Sequence, residues 1–266
     1  MVESNSDYFS IQIDNLKIIA LSCGDLIENG WLTGIAPENY ERLLSQAGLV
    51  KESGGIRTSN TSFLVDDGNR IFMIDAGSNY DGNPEMLKDN LEKTGYKTNQ
   101  ISAILLTHLH DDHYLGLTDR KGQAIFPKAE LYYAKKDGNF HPHGYTVKTF
   151  NNDDVLLGKI QTLDLPGHTP GHTGYKIEAD NGQTVVFFGD IVQSFAIQLP
   201  QPEVSSIFDT NPRLGNQSRR KILEAVADKS ILIGGSHMPF PSLGYVVKVG
   251  NAYAWKAINT SVNDTH

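Results

Sequence analysis

The chain is poor in several features that would point to whole classes of function. It has one cysteine, Cys23, in 266 residues, so no intrachain disulfide can form and a thiolate-rich zinc cluster is excluded. Cys23 itself reads as a small buried apolar residue. Basic charge is also scarce, with 23 Lys and Arg against 31 Asp and Glu and a net charge of −8. The one basic run, Arg219, Arg220 and Lys221, falls in a predicted helix and reads as a solvated helix face, not a phosphate-binding patch. Nucleic acid is therefore not an expected partner. No apolar run approaches the length of a membrane span, and the polar start MVESNSDYFS lacks the core of an export signal. The expectation is a cytoplasmic chain with no membrane partner. No linker or low-complexity segment interrupts it, so residues 1–266 are expected to form one domain.

What is present alternates strand and helix. Residues 17–26 begin as a strand, and 37–48 have helical spacing with Pro37 in the first turn and Gly48 at the end. Residues 61–65 and 70–77 are apolar runs separated by DDGN, which predicts a hairpin. A helix is predicted after Pro84 with Gly95 at its end, then a buried strand over 101–106. Further strands are predicted at 129–133, 159–165, 174–178, 184–189 and 231–234, with a helix over 217–227. That order predicts a layered α/β domain, with sheets flanked by helices.

The run HLHDDH at 108–113 follows the strand over 101–106 directly and holds three of the nine histidines. His108, His110, Asp112 and His113 place four groups able to bind a metal within six residues, and a turn at a strand end lets neighbours point into one cavity. His168, Asp190 and His237 each sit where a predicted strand ends. His141 and His143 form another His-X-His, but with no apolar strand before them they read as a solvated loop.

HLHDDH fits the HxHxDH pattern of the metallo-β-lactamase superfamily, and the chain resembles that superfamily in its other landmarks. These are Asp75 in IDAG, His168 in PGHTPGH, Asp190 in FFGD and His237 in GSHMP, so the resemblance covers residues 63 to 241. It implies a four-layer αββα sandwich and a dinuclear site. His108, His110 and His168 would hold the first metal, Asp112, His113 and His237 the second, and Asp190 would bridge both. Nitrogen and oxygen ligands without sulfur suit two zinc ions and also admit manganese, iron or cobalt. The resemblance also puts Asp75 near the ligand turn, where it could orient an imidazole, and leaves His172 outside the ligand set.

A narrower resemblance, to the methyl parathion hydrolase and lactonase-like branch, lies in residues 189–204, in FDTNP at 208–212 and in SHMPFPSLG at 236–244. Members of that branch hydrolyse lactones, aryl esters or phosphotriesters. The expected activity is therefore cleavage of a small hydrophobic lactone, ester or phosphotriester by a hydroxide shared between two metal ions, since such ions lower the pKa of water from 15.7 towards about 7. Asp112 is the candidate catalytic residue, orienting the hydroxide and taking its proton. Phe195, Ile197, Leu199, Met238 and Phe240 give the ligand neighbourhood an apolar cast and are expected to line the substrate pocket. The segment WLTGIA at 31–36 is a candidate pocket lid or homodimer contact.

Other readings use the same fold. An iron-dependent persulfide dioxygenase needs only one iron, held by two histidines and an aspartate, and leaves the second ligand set unused. A thioester hydrolase of the glyoxalase II type would use the same ligands, but that family carries a C-terminal helical region and only a short stretch follows His237. Dinuclear β-lactamases of the superfamily lack the bridging aspartate, which disfavours that activity. A non-catalytic metal-binding module would show a missing ligand, and none is missing.

Overall fold

The computed structural model describes residues 2–52, 54–78, 83 and 85–259. The chain runs through β1 (Val2–Ser4), β2 (Tyr8–Ile13), β3 (Leu16–Glu28), β4 (Leu32–Thr33), α1 (Pro37–Gln46), β5 (Ile56–Asp66), β6 (Ile71–Ile74) and α2 (Met86–Lys93). It continues with β7 (Ala103–Leu105), α3 (Asp111–Tyr114), β8 (Glu130–Ala134), β9 (Thr146–Phe150), β10 (Val155–Leu156), β11 (Ile160–Asp164), β12 (Thr173–Glu178) and β13 (Thr184–Phe187). The last elements are α4 (Phe195–Gln198), β14 (Ser205–Ser206), α5 (Pro212–Val226), β15 (Leu232–Gly234), β16 (Leu243–Val249) and β17 (Ala252–Ala257).

Strict alternation along the central strands produces the layers. In β3, Leu16, Ile18 and Ala20 point to one face, while Ile19, Leu21 and Cys23 point to the other. Because both faces are covered, these strands read as nearly continuous apolar runs. The first sheet has the order β1-β2-β3-β5-β6-β7-β8-β9 and the second β10-β11-β12-β13-β15-β16-β17. Phe63 and Phe72 of the first sheet pack with Tyr175, Val185 and Phe187 of the second in the core between the sheets. Leu87 and Leu91 of α2 cover the outer face of the first sheet, and Ile222, Leu223 and Val226 of α5 cover that of the second. The four-layer αββα sandwich expected from the sequence is the fold observed.

β6 and β7 pair in parallel, as do β13 and β15. Their C-terminal ends lie side by side at the same edge of the sandwich, where Thr61 N–H donates to Ser236 C=O across the two sheets. β4 and β14 stand apart as a separate two-stranded ladder, which ties residues 31–33 to residues 205–207 over that edge.

Several elements differ from the sequence reading. α5 starts at Pro212, five residues before the predicted 217, because the Asn211 side chain caps it by accepting from Leu214 N–H and Pro212 fits its first turn. Gly215 and Asn216 weaken the helical pattern there. Strands β1, β2, β9, β10, β16 and β17 carry too few uninterrupted apolar residues to be legible in the sequence. Pro84 lies outside the described residues. Among the described residues, no helix is long and apolar enough to cross a membrane.

The Phe63 and Phe187 rings meet at 5.0 Å between the sheets. Replacing Phe187 with Ala is expected to cost about 3–5 kcal/mol in urea unfolding. A cost under about 1 kcal/mol would contradict this placement of the core.

Candidate metal centre

The seven candidate ligands arrive from separate strand ends. Asp75 turns the chain after β6 with φ 59°, and β7 leads through Thr107 into His108 and His110. Asp112 and His113 lie on the single turn of α3. His168 lies between β11 and β12, Asp190 follows β13, and His237 follows β15. Gly189 makes the convergence possible, because it has φ 55° and a Cβ there would sit 2.8 Å from His172 Nε2 and 2.9 Å from Thr107.

Two groups result, one of His108, His110 and His168 and the other of Asp112, His113, Asp190 and His237. Within each, one ligand atom per residue lies within 4.8 Å of all the others. All seven residues read from the sequence are thus brought together. His108 Nε2 and His110 Nδ1 approach to 3.0 Å. His237 Nε2 lies 3.1 Å from Asp190 Oδ2 and 3.3 Å from Asp112 Oδ2.

The far nitrogens of three rings are held from behind. His113 Nδ1 donates to Asp75 Oδ2 at 2.8 Å, His168 Nδ1 to Asp209 Oδ1 at 2.9 Å and His237 Nδ1 to the Ser59 carbonyl at 2.9 Å. Each bond ties down Nδ1 and turns Nε2 toward the cluster, the orientation a metal ligand requires. Asp75 also accepts from Thr107 N–H and Oγ1–H, so the role the resemblance implied for it is matched by its contacts. His172 turns away from the cluster, its Nε2 accepting from Asp190 N–H at 3.0 Å.

Three buried atoms of the cluster have no hydrogen-bond partner among the described residues: His113 Nε2, His168 Nε2 and Asp190 Oδ1. His113 Nε2 and Asp190 Oδ1 are 3.0 Å apart, but the pair lacks hydrogen-bond geometry. Buried polar atoms left open in this way are costly unless a partner completes them. The orphaned atoms and the imidazole and carboxylate donor set therefore fit divalent metal ions.

Without a metal the two groups differ in charge. Burial holds His108 well below the ordinary imidazole range, and burial together with His168 takes His110 down to about 4. Burial also works against a charged His113, but Asp190, Asp112 and Asp75 outweigh it and hold the ring well above that range. Asp190 and Asp112 likewise overcome burial at His237 and raise it to about 10. His108 and His110 are thus ready to bind at neutral pH, whereas His113 and His237 carry protons that a metal must displace.

In front of the cluster lies a cavity of about 370 Å³. Its apolar wall is Leu26, Trp31, Leu109 and Phe208. The five residues expected to line it do not. Ile197, Leu199 and Met238 are fully buried in the core, while Phe195 and Phe240 pack against its edges. Strand-end aromatics serve packing, and the wall comes from Leu26 of β3, from Leu109 of the ligand run and from Trp31 and Phe208 beside the ladder of β4 and β14, whose pairing the sequence does not display. Trp31 of the WLTGIA segment forms part of that wall and meets Phe208 edge to face at 5.6 Å.

Asp209 is a site residue that the sequence does not reveal, because it lies 41 positions from the histidine it orients. His141 and His143 are exposed, as expected of a loop. Cys23 is buried against Ser62, and burial pushes its thiol up to about 11, far from a reactive thiolate.

A group whose pKa lies above the working pH keeps its proton until a ligand displaces it, so zinc affinity should rise with pH between about 6 and 9. Zinc titration calorimetry in buffers of different ionisation enthalpy is expected to show release of about two or more protons per chain at pH 7. Affinity independent of pH, with no proton released, would contradict the charge assignment of His113 and His237.

The family profile of the metallo-beta-lactamase superfamily matches residues 55–233. Hydroxyacylglutathione hydrolase of Aeromonas hydrophila is 32% identical over 135 residues, 51% of this chain and 47% of that protein. Atrochrysone carboxyl ACP thioesterase of Passalora fulva is 24% identical over 157 residues, 59% and 44% of the two chains. The matched part thus spans about half the length of these relatives. Among solved structures, a hydrolase of the beta lactamase superfamily, AbOPH, superimposes with a TM-score of 0.88 at 26% identity, over 97% of this chain and 99% of that one. The dizinc quorum-quenching lactonase AidC, in complex with its product, superimposes with a TM-score of 0.85 at 21% identity, over 95% and 98%. With the profile covering most of its length and the ligand landmarks gathered at one edge of the sandwich, the chain belongs to the metallo-beta-lactamase superfamily.

Proposed function

We propose that the protein is a hydrolase that holds two divalent ions, zinc in the first instance, and cleaves a neutral, apolar lactone, ester or phosphotriester, in keeping with the methyl parathion hydrolase and lactonase-like branch. The observation that carries this reading is the pocket lining, where an apolar wall faces Asp111, Asp112 and Asp190 and no lysine or arginine among the described residues takes part. Such a wall favours an apolar substrate and offers no side-chain cation to an anionic group away from the metal ions. The likeness to AbOPH and to the dizinc lactonase supports the same choice.

His108, His110 and His168 would hold one ion and Asp112, His113 and His237 the other, with Asp190 between them. Bound there, the ions would supply Lewis acidity and activate water at neutral pH. The chain's own contribution to proton transfer falls to Asp112. Both carboxylates of the cluster line the cavity, but the Asp112 side chain is 17% exposed where that of Asp190 is 3% exposed, so Asp112 is the more open of the two to substrate. Burial would raise the Asp112 pKa, but His113 and His237 overcome it and hold the carboxyl below its ordinary range. It is therefore ionised at neutral pH and can accept a proton from the attacking water and pass it to the leaving oxygen.

A thioester is the second reading, favoured by the likeness to an ACP thioesterase and a hydroxyacylglutathione hydrolase. Glutathione carries carboxylates, for which this pocket wall offers no cation. An iron-dependent oxygenase would leave Asp112 and His237 without a role.

Asp112→Asn is expected to lower kcat about 10²–10⁴-fold at saturating zinc, and near wild-type turnover would remove Asp112 from proton transfer. Trp31→Ala and Phe208→Ala are each expected to raise KM for an apolar lactone or aryl ester about tenfold with little change in kcat. A carboxylate-bearing analogue should be a far poorer substrate, and an enzyme that prefers it would overturn the neutral-substrate reading.

A further inference from the structure

Arg219 opens the basic run of the sequence, yet its side chain is 1% exposed and among the largest fully buried in the protein. The expectation of a solvated helix face is thus corrected at this residue. α5 turns Arg219 inward beneath the metal centre, while Arg220 stays outside on Glu203. Burial pulls the guanidinium down to about 10, with Asp209 opposing, so it is cationic at neutral pH.

Its donors join three segments around the site. Nε donates to the carbonyl of Ile191 at 2.5 Å, one residue beyond Asp190. Nη1 reaches the carbonyls of Pro202 and Val204 at 2.9 and 2.8 Å and Asn216 Oδ1 at 3.0 Å. Nη2 lies 4.0 Å from Asp209 Oδ2, and the other oxygen of that carboxylate accepts from His168 Nδ1. α5 can lie this close because Gly167 has no side chain, since a Cβ there would be 2.0 Å from Gly215 N. Filling this space does not require an arginine. An apolar residue of similar volume would avoid a buried charge, and a lysine, with a single ammonium, could not span the same acceptors.

We infer that Arg219 is a positioning residue for the metal centre, setting the spacing between the arm that carries Asp190 and the Asp209 carboxylate that aims His168. This rests on the reading of the cluster as a metal site. It goes beyond that reading in assigning part of the metal affinity to a residue that touches no ligand directly.

The test is zinc competition against a chromophoric chelator, together with the visible spectrum of the cobalt(II) form, for the full chain and for R219K, R219M, D209N and R219K/D209N. Wild-type protein should bind two zinc ions. R219K and R219M should each weaken one of them about 10- to 100-fold and alter the cobalt spectrum, as loss of a support behind a ligand does. D209N should do the same, and the double variant should be worse than D209N alone but better than the product of the two single effects, because Arg219 acts partly through Asp209 on His168 and partly through the Ile191 carbonyl on the Asp190 arm. A lower unfolding midpoint with unchanged zinc affinity and cobalt spectrum would overturn the inference, leaving Arg219 a structural residue. If R219M does not fold, R219K decides, because it keeps the charge without the reach, and an unchanged zinc affinity in it would likewise overturn the inference. Failure of the wild-type chain to bind zinc would overturn the metal reading itself.

Discussion

Asp190 is a carboxylate taken almost wholly out of water, and a buried charge of that kind persists only with positive charge against it. In the metal-free chain that charge comes from His113 and His237, both held protonated by their carboxylate neighbours. The arrangement is a poor use of two imidazoles, because it leaves Asp190 Oδ1 and His113 Nε2 without hydrogen bonds. Divalent ions would satisfy the carboxylate, open the imidazoles to ligation and complete the orphaned atoms together. The site is thus physically unfinished in the protein alone, and its defects point to what completes it.

The rest of the fold holds these groups at close range. Alternating apolar residues bury the central strands on both faces, which fixes the register and brings the ends of β6, β7, β13 and β15 to one edge. Behind the candidate ligands stands a second tier: Asp75 for His113, Asp209 for His168 and the Ser59 carbonyl for His237. Trp31 and Phe208, which flank the ladder of β4 and β14, stand over the cavity beside Leu26 and Leu109. The wall and the cluster are in contact, the Trp31 ring standing edge to face against His237 and the Phe208 ring against His110, each at 6.4 Å.

How legible each part is in the sequence follows from the range of its contacts. HLHDDH is local, so its chemistry shows in six letters, and His168, Asp190 and His237 stand at strand ends that apolar runs announce. The αββα layers follow from those runs and the helices between them. Asp209 and Phe208 act through tertiary contacts that no spacing encodes, so their roles emerge only in the structure, whereas Trp31 lies in the segment 31–36 that the sequence offered as a pocket lid or homodimer contact and is found in the pocket wall. Arg219 misleads in the sequence, because a run of three basic residues looks the same on a solvated face as on a helix that turns one of them inward. Phe195, Ile197, Leu199, Met238 and Phe240 mislead in the opposite sense: apolar residues near a site are usually its foundation, and here none lines the cavity.

The proposed chemistry rests on the two groups of candidate ligands each holding a divalent ion. Elemental mass spectrometry on protein purified without added metal addresses this directly. Two divalent ions per chain, chiefly zinc, are expected, with their loss from an Asp190→Asn variant. A metal-free chain that stays folded and takes up no zinc when it is supplied would contradict the dinuclear site.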